Sequence, residues 1–189
     1  MAIARPKDPP EGSPEHSPEH STHTAPGSWP KDYQLRQGSG LERSRLLQMM
    51  RRTYRELYPD QDFDHLAHTV EAYFSRDTPL WWLDAPEQSA PEQSAPASVG
   101  CLWMGTAVDQ VRGDRHGHIF LLYIAPEHRR QGLGRQLMQV AEAWAVARGD
   151  RKLSLQVFSH NTAALALYQS LGYQPQSVAL IKSLPSQPP

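Results

Sequence analysis

The sequence predicts a mixed α/β fold, a sheet with helices on both faces, and three observations lead there. Short apolar or alternating runs are interleaved with segments whose apolar residues recur at helical spacing. A polar stretch, Asp109–Gly117, separates two apolar strands and contains Gly113-Asp114, which reads as a hairpin turn. Glycines stand where the last two helices should end, at Gly149 and Gly172.

Taken in order, Tyr33–Arg36 reads as a first strand. Glu42–Tyr58 carries Leu46, Leu47, Met50, Tyr54 and Leu57 on one helical face, and Pro59-Asp60 stops it. Asp62 or Asp64 is suited to cap a second helix running to about Phe74, with Phe63, Leu66 and Val70 inward. Leu80-Trp81-Trp82-Leu83, Val99–Val108 and His118–Ile124 read as strands. Gly132–Arg148 is a helix with Leu133, Leu137, Val140, Ala141 and Trp144 inward. Leu153, Leu155 and Val157 alternate as a strand, Asn161–Leu171 is a helix, and Ser177–Ser183 is read as a last strand. The order β-α-α-β-β-β-α-β-α-β implies a mixed sheet with helices on both faces.

Two low-complexity repeats interrupt this pattern. Residues 1–27 hold Ser13-Pro14-Glu15-His16 and its copy Ser17-Pro18-Glu19-His20, with no aromatic residue, and read as a disordered tail. Residues 85–97 hold Ala85-Pro86-Glu87-Gln88-Ser89 and its copy. Prolines at that spacing exclude a helix interior or a central strand and imply a slack surface loop. One domain is therefore expected over 28–185, with 186–189 as a short end.

With 189 residues, a formal charge of −1 and 39% hydrophobic residues, the chain suits a single domain with a core and a tail. That charge supplies no general attraction to nucleic acid or anionic lipid, and neither is expected as a partner. Cys101 is the only cysteine, so no intramolecular disulfide forms, and a small buried strand residue is expected there. No apolar run reaches the ~18 residues of a membrane helix. The N-terminus lacks an apolar signal core, and a cytoplasmic location is the expectation. His16, His20 and His23 lie in the tail, and His116 with His118 lacks a third ligand, so no metal site is expected.

The chemistry concentrates where strand His118–Ile124 meets the helix opening at Gly132. The intervening Ala125-Pro126-Glu127-His128-Arg129-Arg130-Gln131-Gly132-Leu133-Gly134 places glycines at a helix N-terminus, where free N–H groups and the positive dipole end favour a phosphate. Arg129, Arg130 and Arg135 add positive charge. A Walker loop is absent, and Leu137 stands where a dinucleotide fingerprint needs its third glycine.

Arg129-Arg130-Gln131-Gly132-Leu133-Gly134 resembles the acyl-CoA signature of the GNAT superfamily, Gln/Arg-x-x-Gly-x-Gly/Ala. It follows Leu122-Tyr123-Ile124-Ala125-Pro126, which looks like that family's fourth strand. Asn161-x-x-Ala164-x-x-Leu167-Tyr168-x-x-x-Gly172-Tyr173 looks like its second cofactor motif. The resemblance covers roughly Trp29–Ser183. It implies a mostly antiparallel GNAT-like sheet and an N-acetyltransferase that uses acetyl-CoA as donor. Direct attack by an amine, of a small molecule or of a protein or peptide, would occur in a ternary complex. By the same resemblance, Leu122 and Ile124 would bond the pantetheine arm through their backbones. Arg129, Arg130, Gln131, Gly132, Leu133, Gly134 and Arg135 would hold the pyrophosphate, and Asn161 would contact the arm from the other side.

Tyr168 is the candidate acid, since a phenol with a pKa near 10 is protonated at neutrality. The alternative is a core aromatic among Leu165, Leu167 and Leu171. His118 is the candidate base, standing four residues before Leu122 where some relatives place a glutamate, with His116 on the same strand face. A water chain is the alternative. A degenerate acyl-CoA-binding sensor or scaffold is the rival function, and a monomer or homodimer is expected. The acceptor is expected to be chosen by Leu41–Phe74, Trp81-Trp82 and the segment after Tyr173. Trp81, Trp82 and Trp103 could face an acceptor pocket and bind a cation over a ring, but most are expected in the core.

Overall fold

The structure, a computed structural model, describes residues 29–30, 33–86 and 98–184. The expected tail at 1–27, nearly all of the repeat loop and the short end from 186 lie outside the described residues. The elements are β1 (Gln34–Gln37), α1 (Arg43–Leu57), α2 (Leu66–Tyr73), β2 (Leu80–Asp84), β3 (Ser98–Val108) and β4 (Arg115–Ile124). A 3₁₀ turn at Pro126–His128, α3 (Leu133–Ala147), β5 (Leu153–Leu155) and α4 (Thr162–Ser170) follow.

The strands lie in the order β1-β2-β3-β4-β5. β1 to β4 pair antiparallel, and β5 joins β4 in parallel. The sheet is thus mixed and mostly antiparallel, as expected. The hairpin between β3 and β4 closes through Asp109 N–H, which donates to Asp114 O at 2.9 Å, with Gly113 at φ +75°.

The helical faces read from the sequence bury in large part, although Leu47, Tyr54 and Trp144 are only half-buried against the core and Met49, Met138 and Ala145 join it unforeseen. Leu46, Met49 and Met50 of α1, Leu66 and Val70 of α2, and Leu133, Leu137, Met138, Val140, Ala141 and Ala145 of α3 are in the core. Trp82 and Trp103 are fully buried, each worth several kcal/mol by area, on the scale of about 25 cal/mol per Å² of apolar surface. Phe74 and Phe120 pack against Trp103, with ring centroids 6.1 and 4.7 Å from it, and Tyr73 packs on Phe120 at 5.5 Å. Gly117 faces α3, because a Cβ there would stand 3.2 Å from Trp144. Its neighbours His116 and His118 therefore face away from α3. Cys101 is buried, as expected, and burial alone pushes its thiol pKa up.

Three expectations need correction. α2 begins at Leu66, and neither Asp62 nor Asp64 caps it; Asp62 instead accepts from Asp64 N–H in a local turn at 3.0 Å. The strand expected through Val157 stops at Leu155. Beyond it the chain turns toward α1, where the Phe158 ring sits edge-on to Tyr54 and Tyr58 at 6.1 and 5.3 Å. The expected last strand at Ser177–Ser183 is not formed. Val178, Leu180 and Ile181 are 81–92% exposed, because alternation makes a strand only where a ladder partner exists.

Candidate active site

β4 and β5 are paired only over Gly117–Ile119 against Leu153–Leu155. β4 runs on to Ile124, so its outer edge faces an open gap from Phe120 onward. A register break leaves Phe120 without a partner between the pairs Trp103–Leu121 and Met104–Ile119, a bulge at the closed end of that gap. Ala125 N–H donates to Val99 O at 2.7 Å, toward β3. Main-chain groups alternate along a strand, so those of Leu122 and Ile124 point the other way, into the gap.

At the end of β4 the loop forms a concave row of donors. Arg130 has φ +61° and Gly132 φ +82°, and Arg130 is the only non-glycine with positive φ among the described residues. Arg130 through Arg135 find no acceptor for their main-chain N–H groups among the described residues. α3 has Gly132 as its N-cap residue, with no side chain closing its first turn. Successive N–H groups in such a turn, joined to a helix N-terminus, make an anion cradle. Nothing lies within 4 Å of where a Gly132 Cβ would be, so its side is open. This donor set suits the pyrophosphate of an acyl-CoA: many fixed N–H groups beside the exposed Arg130.

The loop is fastened from several sides. Tyr33 Oη lies 2.7 Å from His128 Nδ1, and Arg52 pairs with Glu127 at 3.3 Å. Arg129 donates from Nε to Ile124 O at 2.8 Å and pairs with Glu56, which also accepts from Tyr123 Oη. α4 is tied to the first turn of α3 by Arg135, which donates to Ser170 Oγ at 2.8 Å.

At the closed end of the gap His118 is buried, and its Nδ1 lies 2.8 Å from Ser154 Oγ. His116 Nε2 lies 2.9 Å from the same hydroxyl. Burial, with a smaller push from His116, lowers the His118 pKa from 6.5 to about 4. On α4, Tyr168 packs against Tyr173 with centroids 6.0 Å apart, and burial raises its phenol pKa to about 12. Its hydroxyl makes no hydrogen bond among the described residues. Tyr168 and His118 share no hydrogen bond or ring contact; they stand on α4 and on β4.

The model of the acetyltransferase (GNAT) family matches residues 43–173. The chain belongs to the GNAT acetyltransferase family. It is 38% identical over 64 residues to the uncharacterized N-acetyltransferase YobR of Bacillus subtilis, which is 34% of this chain and 26% of that protein. It is 34% identical over 86 residues to the uncharacterized N-acetyltransferase YycN of the same species, 46% of this chain and 54% of that one. The matches thus span from about a quarter to about half of these curated relatives. Among solved structures, a candidate acetyl transferase of Pyrococcus furiosus superposes with a TM-score of 0.64 at 18% identity, covering 81% of this chain and 100% of that one. At that identity the likeness concerns the fold.

The residues expected from the GNAT motifs fall into distinct geometric roles. Gly132 is required by its left-handed φ. Gly134 sits close against α4, where a Cβ would stand 3.2 Å from Leu167 Cδ2 and that side chain would have to give way. Arg129 bonds to Ile124 O and Glu56 and Arg135 to Ser170, and Arg130 is the loop guanidinium with no protein partner among the described residues. Gln131 has a buried Oε1 with no partner. Leu133 is core. Asn161 caps α4 by accepting from Ala164 N–H at 3.2 Å, which occupies its carbonyl and leaves its amide N–H₂ unused.

Ser154, Glu56 and Tyr123 were not legible as site residues. A serine in a three-residue alternation carries no signal until strand pairing sets it between two histidines. Glu56 and Tyr123 are 67 positions apart. Among the described residues no group of three His, Cys, Asp or Glu is placed to hold a metal, and no helix is long and apolar enough to cross a membrane.

Proposed function

We propose that this GNAT chain transfers an acetyl group from acetyl-CoA to a primary amine by direct attack in a ternary complex. The observation that carries the reading is the pairing of a strand gap, faced by the main-chain groups of Leu122 and the N–H of Ile124, to a ready-made anion cradle at Arg130–Arg135. The gap suits an extended pantetheine arm, and the cradle suits its pyrophosphate. Acetyl-CoA would supply an activated thioester carbonyl.

The remaining chemistry falls to protons on nitrogen and sulfur. His118, with a pKa near 4, is neutral wherever an amine is reactive. It is too weak to strip a free alkylammonium. A nitrogen that has begun bonding to an acyl carbon is far more acidic, and His118 takes that proton. Tyr168, held protonated by a pKa near 12, donates a hydrogen bond to the leaving sulfur as negative charge grows there. Its unpartnered hydroxyl is free for that job. Orientation comes from main-chain groups and a fastened loop rather than from mobile side chains.

The acceptor would enter beside α1, where Gln48, Arg51, Arg52, Arg55 and Glu56 line an open groove. The test is a panel of amines and N-terminal peptides with acetyl-CoA, following free thiol. Amine-dependent thiol release is expected. Tight acetyl-CoA binding with no release from any acceptor would favour a sensor or scaffold.

A further inference from the structure

Ser154 is surrounded by three polar atoms in a fixed arrangement. Its Oγ lies 2.9 Å from His116 Nε2, 2.8 Å from His118 Nδ1 and 3.5 Å from Gly117 O. A hydroxyl has one proton and two acceptor lone pairs. Gly117 O can only accept, so at that contact Ser154 must donate.

Three proton arrangements are available. If Ser154 donates to His116 Nε2, the His116 proton sits on Nδ1, which is buried with no partner, so a buried N–H is left unsatisfied. If Ser154 donates to His118 Nδ1, His118 carries its proton on Nε2 and only the long 3.5 Å contact to Gly117 O goes unused. If Ser154 donates to Gly117 O, it accepts from both imidazoles. All three contacts are then made, and the buried His116 Nδ1 is left as a lone pair rather than a stranded donor.

We propose that Ser154 is a positioning residue: by accepting from His118 Nδ1–H and His116 Nε2–H together, it holds His118 in the tautomer whose Nε2 lone pair is free. This rests on the reading of His118 as the proton acceptor and explains how a buried imidazole is kept in the one form able to accept. His118 Nε2 takes no hydrogen bond and is not among the sealed polar atoms. The groups facing His118 are His116 on its own strand, Ser154 on β5, and the Phe120 ring at 5.2 Å. No carboxylate or cation among the described residues bonds to its ring, so the hydroxyl is what selects the tautomer.

The test uses the full chain labelled with ¹⁵N-histidine, without substrate, at neutral pH. Two-bond ¹⁵N–¹H correlations read each tautomer, and His118→Gln identifies the signal. The wild type is expected to show His118 protonated at Nδ1. Ser154→Ala should move the proton to Nε2, the form free imidazole side chains favour, and Ser154→Thr should restore Nδ1. In turnover, Ser154→Ala should lower kcat roughly ten- to a hundredfold, the scale on which outer-shell partners act, with acetyl-CoA KM unchanged and Ser154→Thr recovering most of it. An Nε2-protonated His118 in the wild type, or a tautomer indifferent to Ser154→Ala, overturns the proposal. A tautomer that moves while kcat does not supports the hydrogen-bond assignment and removes His118 from the reaction, so the two failures are read apart.

Discussion

Arg129 donates from Nε to the carbonyl oxygen of Ile124 at 2.8 Å, which binds the end of β4 to the loop that follows it. Its Nη2 pairs with Glu56 on α1. Two of its three nitrogens are thus used to fix the loop. Arg129→Ala should cost about 1 kcal/mol, since the pair is partly exposed, and lower Tm by roughly 2–4 °C. Acetyl-CoA affinity measured calorimetrically at low temperature should change little. A tenfold loss of affinity with unchanged Tm would return Arg129 to the phosphate.

Arg130 is the opposite case. Its φ of +61° is strained for a side chain, and its guanidinium has no protein partner among the described residues. Arg130→Gly should relieve about 1–2 kcal/mol of strain, partly offset by added unfolded-state freedom, so Tm should hold or rise. Acetyl-CoA affinity should fall, and its dependence on salt should weaken. Lower stability together with unaltered affinity would contradict both halves.

The two loop glycines should fail differently. Gly132→Ala meets open space but forces φ +82° on an L residue, at a cost of about 1–2 kcal/mol. Gly134→Ala keeps a normal helical backbone but presses on Leu167 at 3.2 Å, disturbing how α4 packs. Shortening Leu167 to Ala should restore Gly134→Ala partly and leave Gly132→Ala unhelped. Equal rescue of both by thermal melts would show that the distinction is wrong.

The motif made both glycines visible, and it could not separate these roles. Glycine at a helix start is legible from Gly132-Leu133-Gly134; whether the absent side chain admits a ligand or a neighbouring helix depends on where Leu167 comes to rest. The same limit explains β5. Leu153, Leu155 and Val157 share a period-2 pattern, but the strand ends where Phe158 finds Tyr54 and Tyr58, a contact across about a hundred residues of chain. Long periodic elements such as α1 and α3, and the buried strands β3 and β4, were legible because each carries its own core face. Ser177–Ser183 had the face and no partner.

His118 sets a pH window for stability. Its folded pKa lies below its unfolded value, so the unfolded chain binds the proton more readily as pH falls. The neutral buried form costs nothing above pH 6.5. Stability drops progressively from about 6.5 to about 4, by on the order of 3 kcal/mol in total. His118→Gln should flatten that part of the Tm–pH curve relative to wild type. Parallel curves through this range would show that His118 titrates normally.

Tyr168→Phe keeps the ring among its neighbours and removes only the hydroxyl. kcat should fall by about 10²-fold or less, because water replaces part of the donor, while acetyl-CoA Kd stays near wild type. The raised phenol pKa means that no basic limb from Tyr168 enters the profile below about pH 11. Full kcat in Tyr168→Phe, with chemistry limiting, would make Tyr168 a packing residue.

Acetyl-CoA is proposed to lie along the free edge of β4 with its pyrophosphate in the loop before α3. Amide hydrogen exchange with and without saturating acetyl-CoA tests it most directly. Protection should concentrate at the Leu122 and Ile124 amides and at Arg130–Arg135, leaving β1 and β2 unchanged. Saturation of the protein with no added protection at those amides would contradict the account.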